Sequence, residues 1–395
     1  MVAAASFVAV VGTVTGMVAA MGGERGADEA RPLTSRSEGL RSEPFDSFAP
    51  FDPAASDGPT AGSPSPSRTS PPPAPSKSPE PSGKAGVRPS AERTEARTES
   101  GPGPGLGSGG LYRHPDSQVL DWVRDNPDDP RSTAIETGIA DRPAAVWFTD
   151  PSPATVTSQV AAVASGGAAR GKVPVLVAYA IPDRDCGGAS QGGASSLDAY
   201  DAWIDAFAAG LGSDDVIVIL EPDAIAQSDC LSAGTRADRF ASLARAGRVI
   251  KAANRDARVY YDAGHSEWNV PAKQAALLRR AGAGSPDGSD GVFSNVSNFN
   301  RTEAEVAYTR RVLDALGGPA GLGAVIDTSR NGNGAPKDGE WCDPAGRGLG
   351  RPPTLTTGEP RIDAYLWVKL PGESDGCRGR AGAFSPGYAY ELARG

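Results

Sequence analysis

The chain has 395 residues, 39% of them hydrophobic, with a formal net charge of −9. An acidic chain without a Lys/Arg cluster interleaved with aromatics excludes a nucleic-acid partner, which needs a basic face for phosphate, and favours a neutral polymer or small substrate. Its 50 glycines and 35 prolines are unevenly spread, so part of the length cannot be globular.

In chain order, residues 1–23 carry no charge before Glu24 and are rich in Ala and Val. They read as a signal-peptide core or a weak membrane anchor; the small residues Val18-Ala19-Ala20 favour cleavage. Either reading predicts export, giving a secreted protein or one anchored with its globular part outside. Residues 24–107 are dominated by Pro, Ser, Gly, Glu and Arg, as in Ser70-Pro71-Pro72-Pro73. Such a stretch buries too little apolar surface to offset its chain entropy, so it is expected to be a disordered linker that could tether the globular part to membrane or cell wall.

From residue 108 to 395, short β-branched or aromatic runs alternate with Ala-rich helical stretches. The runs Ala144–Phe148, Val173–Tyr179, Val216–Leu220, Val259–Asp262, Gly291–Asn295, Ala324–Ile326 and Ala364–Lys369 predict seven strands. Helices are expected at Thr155–Arg170, Leu197–Leu211, Ala233–Ala253 and Glu303–Leu316. The pattern belongs to the α/β class. An open doubly wound sheet is the alternative, but no G-x-G-x-x-G follows the first strand, and polar residues crowd several strand ends. A distorted, seven-stranded β/α (TIM-like) barrel with its active site at the C-terminal ends of the strands is therefore expected.

Those strand ends carry Asp183 and Asp185, Glu221 and Asp223, Asp262 with His265, Asn295, Asp327 with Arg330, and Lys369 with Glu373 and Asp375. Any one aspartate could cap a helix or close a turn, but acidic groups at five strand ends suggest a common rim. Carboxylate pairs without a Cys/His-rich set are what glycoside hydrolysis uses: one protonated acid and one anion that assists water or the developing cation. No G-x-S-x-G elbow supports an esterase. His265 reads as a hydrogen-bonding or structural residue rather than a general base. Trp122 and Trp203 sit on amphipathic helices and are expected in the core. Trp147, Trp268, Trp341 and Trp367 lie near strand ends or in Gly/Pro-rich loops, where an indole can stack on a sugar ring while its N–H bonds a hydroxyl.

Cys186, Cys230, Cys342 and Cys377 suggest two disulfides on an exported chain, with three pairings open. Two histidines and no C-x-x-C make a metal site unlike this sequence; no metal or cofactor is expected. A non-catalytic polysaccharide-binding protein and a metal-dependent hydrolase are the rivals from other classes. Nothing signals an oligomer, so a monomer is expected.

The segments YAIPDRDC (Tyr179–Cys186), Glu221-Pro222-Asp223, DAGHSEW (Asp262–Trp268), IDTSRNGNG (Ile326–Gly334), EWCDP (Glu340–Pro344) and WVKLPGESDGC (Trp367–Cys377) resemble, in order, the motifs of glycoside hydrolase family 6, the inverting cellulases. The resemblance runs from about Leu111 to Leu392. It implies hydrolysis of β-1,4-glucan, in cellulose or a related β-glucan, by single displacement. It implies Asp223 as general acid, Asp185 as the residue that raises its pKa, and Tyr179 as the residue that favours a distorted sugar. Asp375 matches the proposed base, acting directly or through a relay of waters, with Lys369 and Arg330 as the cations that keep it charged.

The same resemblance places His265, Trp268, Asn295, Trp341 and Glu373 against glucosyl units, and disulfides at Cys186–Cys230 and Cys342–Cys377; Trp147 and Lys369 are further candidates for substrate contact, and Asp262 for a supporting role. Some members hold the attacking water with a serine near Ser190-Gln191-Gly192-Gly193, which leaves Ser190 as this chain's match, its role open. The loop Asn298–Arg301 lacks a tryptophan found in several members. Processive members roof the cleft with long loops, whereas Arg378–Pro386 and Ser285–Gly291 here are short. Endo action is expected, with a tunnel-type exo enzyme as the alternative.

Overall fold

The computed structural model describes residues 109–395. The expected signal or anchor at 1–23 and linker at 24–107 lie outside the described residues. The chain enters through α1 (Gln118–Asp125) and α2 (Ser132–Ile135), then alternates β1 (Val146–Phe148), α3 (Pro153–Ala168), β2 (Val175–Ala178), α4 (Leu197–Ala209), β3 (Val216–Leu220), α5 (Ala233–Ala253), β4 (Ala257–Asp262), α6 (Pro271–Arg280), β5 (Gly291–Ser294), α7 (Thr302–Leu316), β6 (Gly323–Asp327) and β7 (Ile362–Leu366). It ends in α8 (Pro386–Arg394).

All seven strands pair in parallel in sequence order. No ladder joins β1 to β7. A single backbone bond from the Ala145 N–H to the Trp367 carbonyl, 2.9 Å, spans the gap, and Trp147 Nε1 donates to the Val368 carbonyl at 2.7 Å. The barrel is therefore distorted and only loosely closed at this seam.

Alternation along each strand separates two cores. Val175, Val177, Ile217, Ile219, Tyr260, Phe293, Val325, Ala364 and Leu366 pack together inside the barrel. Their neighbours Leu176, Val216, Val218, Leu220, Val259, Tyr261, Val292, Ala324 and Ile326 face the helices. Strands buried on both faces read as continuous apolar runs, which is why Val216–Leu220 was recognisable in the sequence. Each such fully buried aliphatic side chain contributes about 1.5–3 kcal/mol relative to exposure.

Three helices, α4, α5 and α8, begin where a serine accepts a free N–H group: Ser196 Oγ from Ala199, Ser232 Oγ from Thr235 and Ser385 Oγ from Tyr388. A third apolar cluster joins the two ends of the domain, with Val119, Ile135 and Ile139 against Trp367, Leu370 and Ala389. Trp203 is fully buried as expected, and Trp122 is half-buried beneath Arg131.

Candidate active site

Every expected strand is present, and their C-terminal ends open into one cleft of about 1550 Å³. That exceeds the roughly 300–1,000 Å³ of a small-molecule pocket and suits a polymer. Asp185, Asp223, Asp375, Tyr179, Trp147, His265, Trp268, Trp341, Lys369, Glu373 and Ser190 all line it. The backbone there is unusual: Asp183, Asp185, Cys186, Glu221, Asp223, Asn295 and Ser297 all have positive φ without being glycine. Holding non-glycine residues in this region costs about 1–3 kcal/mol each, and such strain clusters at functional sites.

At the end of β3, Glu221 is buried, and its carboxylate accepts from the N–H groups of Ala180 and Ile181 at 3.0 Å. It thereby fastens the β2 end, with Tyr179, to the β3 end that carries Asp223. Burial pushes Glu221 up to about 7 despite those donors. Asp223 is pushed well above the usual carboxylate range, first by burial and then by the charges of Asp262 and Asp185.

Asp262 is buried, and its charge is the largest single charged influence on half-buried Asp223. Asp262 accepts from the N–H groups of Ile225, Ala226 and Gly264 at 2.8–3.1 Å. Burial raises Asp262 as well, but those donors oppose it and favour its ionised form; among the described residues Asp223 has no such donors and is pushed well above its usual range, so it is the better holder of a proton. Asp185 sits on the loop after β2, where its Oδ2 accepts from the Ser190 N–H at 2.8 Å. A Cβ on Gly188 would lie 2.5 Å from that same oxygen, so only glycine leaves the carboxylate its place. Arg184 braces the loop through the carbonyls of Thr149 and Ser190 and lies 4.6 Å over the Tyr179 ring. Burial, then Asp223 and Asp185, raise the Tyr179 hydroxyl further above its ordinary value, so it remains a donor.

Across the cleft, Asp375 Oδ2 takes Arg330 Nη1 at 2.7 Å and the Asp343 N–H at 3.2 Å, while Oδ1 lies 3.5 Å from Lys369 Nζ. Both Arg330 and Asp375 are nearly inaccessible to solvent. Arg330 also lies 4.5 Å over the Phe299 ring. Asp343, which the sequence reading quoted in EWCDP without assigning a role, organises the Asp375 loop. It accepts from Ser374 Oγ at 2.6 Å and from the N–H groups of Asp375, Cys377 and Arg378 at 2.7–3.0 Å. Burial works to raise its pKa, but these donors outweigh it and the net shift is downward. The bridges are Cys186–Cys230 and Cys342–Cys377, the pairing the resemblance implied.

His265 Nδ1 lies 2.8 Å from Asn300 Nδ2 and accepts from the Glu267 N–H at 3.3 Å. With Nδ1 accepting both, Nε2 carries the ring hydrogen. Burial lowers His265 to about 4, which makes it a neutral donor rather than a base at ordinary pH. Behind it, buried Glu305 on α7 accepts from the Ser266 N–H at 2.9 Å and fixes the loop. Trp268 is half-buried 5.3 Å from the His265 ring, and Trp341 is 58% exposed, free to meet a ligand.

Three expectations are corrected. Asn295 does not reach the cleft: it is fully buried, and its amide donates to the carbonyls of Asn300 and Asp327, shaping the loop that carries Asn300 instead. Trp367 is also buried, its Nε1 donating to the Arg351 carbonyl, because β7 turns its ring into the cluster between the chain ends. Trp147 lines the cleft, but its indole N–H is taken by Val368, leaving only its ring for a ligand. Sequence reading also passed over Gln118, Glu305 and Asn300, whose importance lies in contacts distant along the chain; Asn300 alone stood inside a segment already singled out.

Fold and site together define a β/α-barrel glycoside hydrolase. Residues 111–393 match the model of Glycosyl hydrolases family 6, and the chain belongs to that family. Endoglucanase 1 of Streptomyces sp. is 52% identical over 72% of this chain and 78% of its own length. Endoglucanase A of Thermobispora bispora is 48% identical over 72% of this chain, but the match spans only 61% of that longer relative. Among solved structures, an endoglucanase from Mycobacterium tuberculosis in complex with methyl-cellobiosyl-4-deoxy-4-thio-beta-D-cellobioside superposes with a TM-score of 0.67 at 41% identity, covering 73% of this chain and 98% of that one.

Proposed function

We propose that this chain is an endo-acting cellulase that hydrolyses β-1,4-glucan by a single displacement with inversion. The observation that carries this reading is Asp223, a carboxyl held in its protonated form inside a polymer-sized cleft by burial and by Asp262 and Asp185. Such a group can give its proton to the leaving glycosidic oxygen. Asp185 supplies negative charge beside the sugar as positive charge develops. Tyr179 contacts the ring that distorts. Asp375, set between Arg330 and Lys369, assists the attacking water directly or through a relay, with Ser190 lining the same cleft. The rings of Trp147, Trp268 and Trp341 offer stacking faces, and His265, Lys369 and Glu373 offer polar contacts.

The endoglucanase names of the relatives support internal attack, as does the brevity of the Arg378–Pro386 and Ser285–Gly291 segments. The two disulfides suit an exported enzyme, secreted or anchored by its N-terminal segment. The test follows carboxymethyl cellulose viscosity against reducing ends, and the anomer released from cello-oligosaccharides. Early viscosity loss and an initial α-anomer are expected. Slow viscosity loss with cellobiose accumulating from the outset would establish exo action, and an initial β-anomer would rule out inversion.

A further inference from the structure

The cleft's end near Trp147 is built partly from the domain's first helix, which the chemistry above does not use. Gln118, the first residue of α1, is solvent-exposed, yet its amide is fully committed. Nε2 donates to Glu373 Oε1 at 3.2 Å and to the Gly382 carbonyl at 2.8 Å, and Oε1 accepts from the Phe384 N–H at 3.0 Å. These bonds link residues more than 250 positions apart. They also hold both arms of the 373–384 loop, which is itself closed by a bridge between Glu373 and Phe384. Gln118, Glu373 and Gly382 all line the cleft.

We propose that Gln118 is a positioning residue for substrate. It orients the Glu373 carboxyl, so that α1 completes the glucan-binding wall at this end. Only Oε1 of Glu373 is engaged by the described residues; Oε2 remains for a sugar hydroxyl. A glutamate on a loop is otherwise free to rotate, and fixing its rotamer beforehand spares the entropy of ordering it on binding. Asp375 lies in the same loop but is fixed by Arg330 and by Asp343, and Asp223 stands past the end of another strand, so the effect falls on binding and not on the chemical step. This proposal rests on the cleft being a glucan site.

The test compares wild type, Gln118→Ala and Gln118→Glu on soluble cello-oligosaccharides of increasing length. Gln118→Ala is expected to raise KM about tenfold for chains long enough to reach Glu373, the scale of one lost hydrogen bond to a charged group, with kcat nearly unchanged. Gln118→Glu keeps the side-chain length but sets two carboxylates together, so a larger rise is expected. Combined with Glu373→Gln, Gln118→Ala is expected to add little. Wild-type KM in a folded Gln118→Ala, a fall confined to kcat, or fully additive effects in the double variant would each overturn the proposal. A wild-type chain that neither binds nor cleaves cello-oligosaccharides would remove the glucan reading as well, which separates the two failures.

Discussion

The two halves of the cleft hold carboxylates in opposite settings. Asp223 stands just past the end of a central strand, half-buried in the cleft wall, with two further carboxylates as its charged neighbours. Asp375 stands on a disulfide-closed loop with a guanidinium and an ammonium against it. The same functional group is therefore biased toward holding its proton on one side of the cleft and is ion-paired on the other. Roles are assigned by surroundings, not by residue type.

The sharpest way to break this contrast is Asp223→Ala. Cleavage of cellulose is expected to fall by about 10²–10⁴-fold, the usual range for general acid catalysis, while substrates with a very acidic leaving group are largely spared. Equal loss on both substrates would mean that Asp223 is not the acid.

On the other side, Arg330→Met removes the nearer cation from a buried pair. It is expected to cost about 3–5 kcal/mol in chemical denaturation, because Asp375 is left poorly compensated. A stability close to wild type would show that Lys369 and the Asp343 N–H suffice. Opening the bridge that closes this loop, with Cys342→Ser and Cys377→Ser together, is expected to cost about 2–4 kcal/mol. An unchanged melting temperature would show that Asp343 alone organises the loop.

The contrast can be sharpened through pH. As the proposed acid, Asp223 is expected to act when protonated, so activity should be lost as pH rises through its elevated pKa. Asp185 contributes to that elevation. In Asp185→Asn, whatever its rate, the alkaline limb of kcat/KM is expected to move to lower pH; a limb that stayed in place or moved upward would contradict the coupling. The smallest effect is expected from Trp341→Ala. Losing one exposed stacking face should weaken binding by about 1 kcal/mol, read as a several-fold rise in KM with kcat preserved. A fall in kcat would put Trp341 nearer the reaction than its exposure suggests.

Much of this was legible in the sequence. Periodicity gave every strand within a few residues, because strands buried on both faces must be apolar throughout. The motif order located Asp223 just past a strand and Asp185 and Asp375 on the loops that follow strands. The misreadings at Asn295 and Trp367 share one cause: both follow strands closely, and a position just past a strand says nothing about which way the chain then turns. Asn295, at positive φ, turns inward; Trp367 turns into the cluster formed by α1, α2 and α8.

By itself, then, the sequence determined the barrel class, the acidic rim and its candidate chemistry, since these follow from local pattern and from residue type at strand ends. Only the tertiary structure decided which acid of the Asp223–Asp262 pair keeps the proton, that Asp343 anchors the Asp375 loop, and that Gln118 meets Glu373. Each depends on groups brought together from distant parts of the chain, and the burial and charge that set their behaviour exist only once that packing has formed.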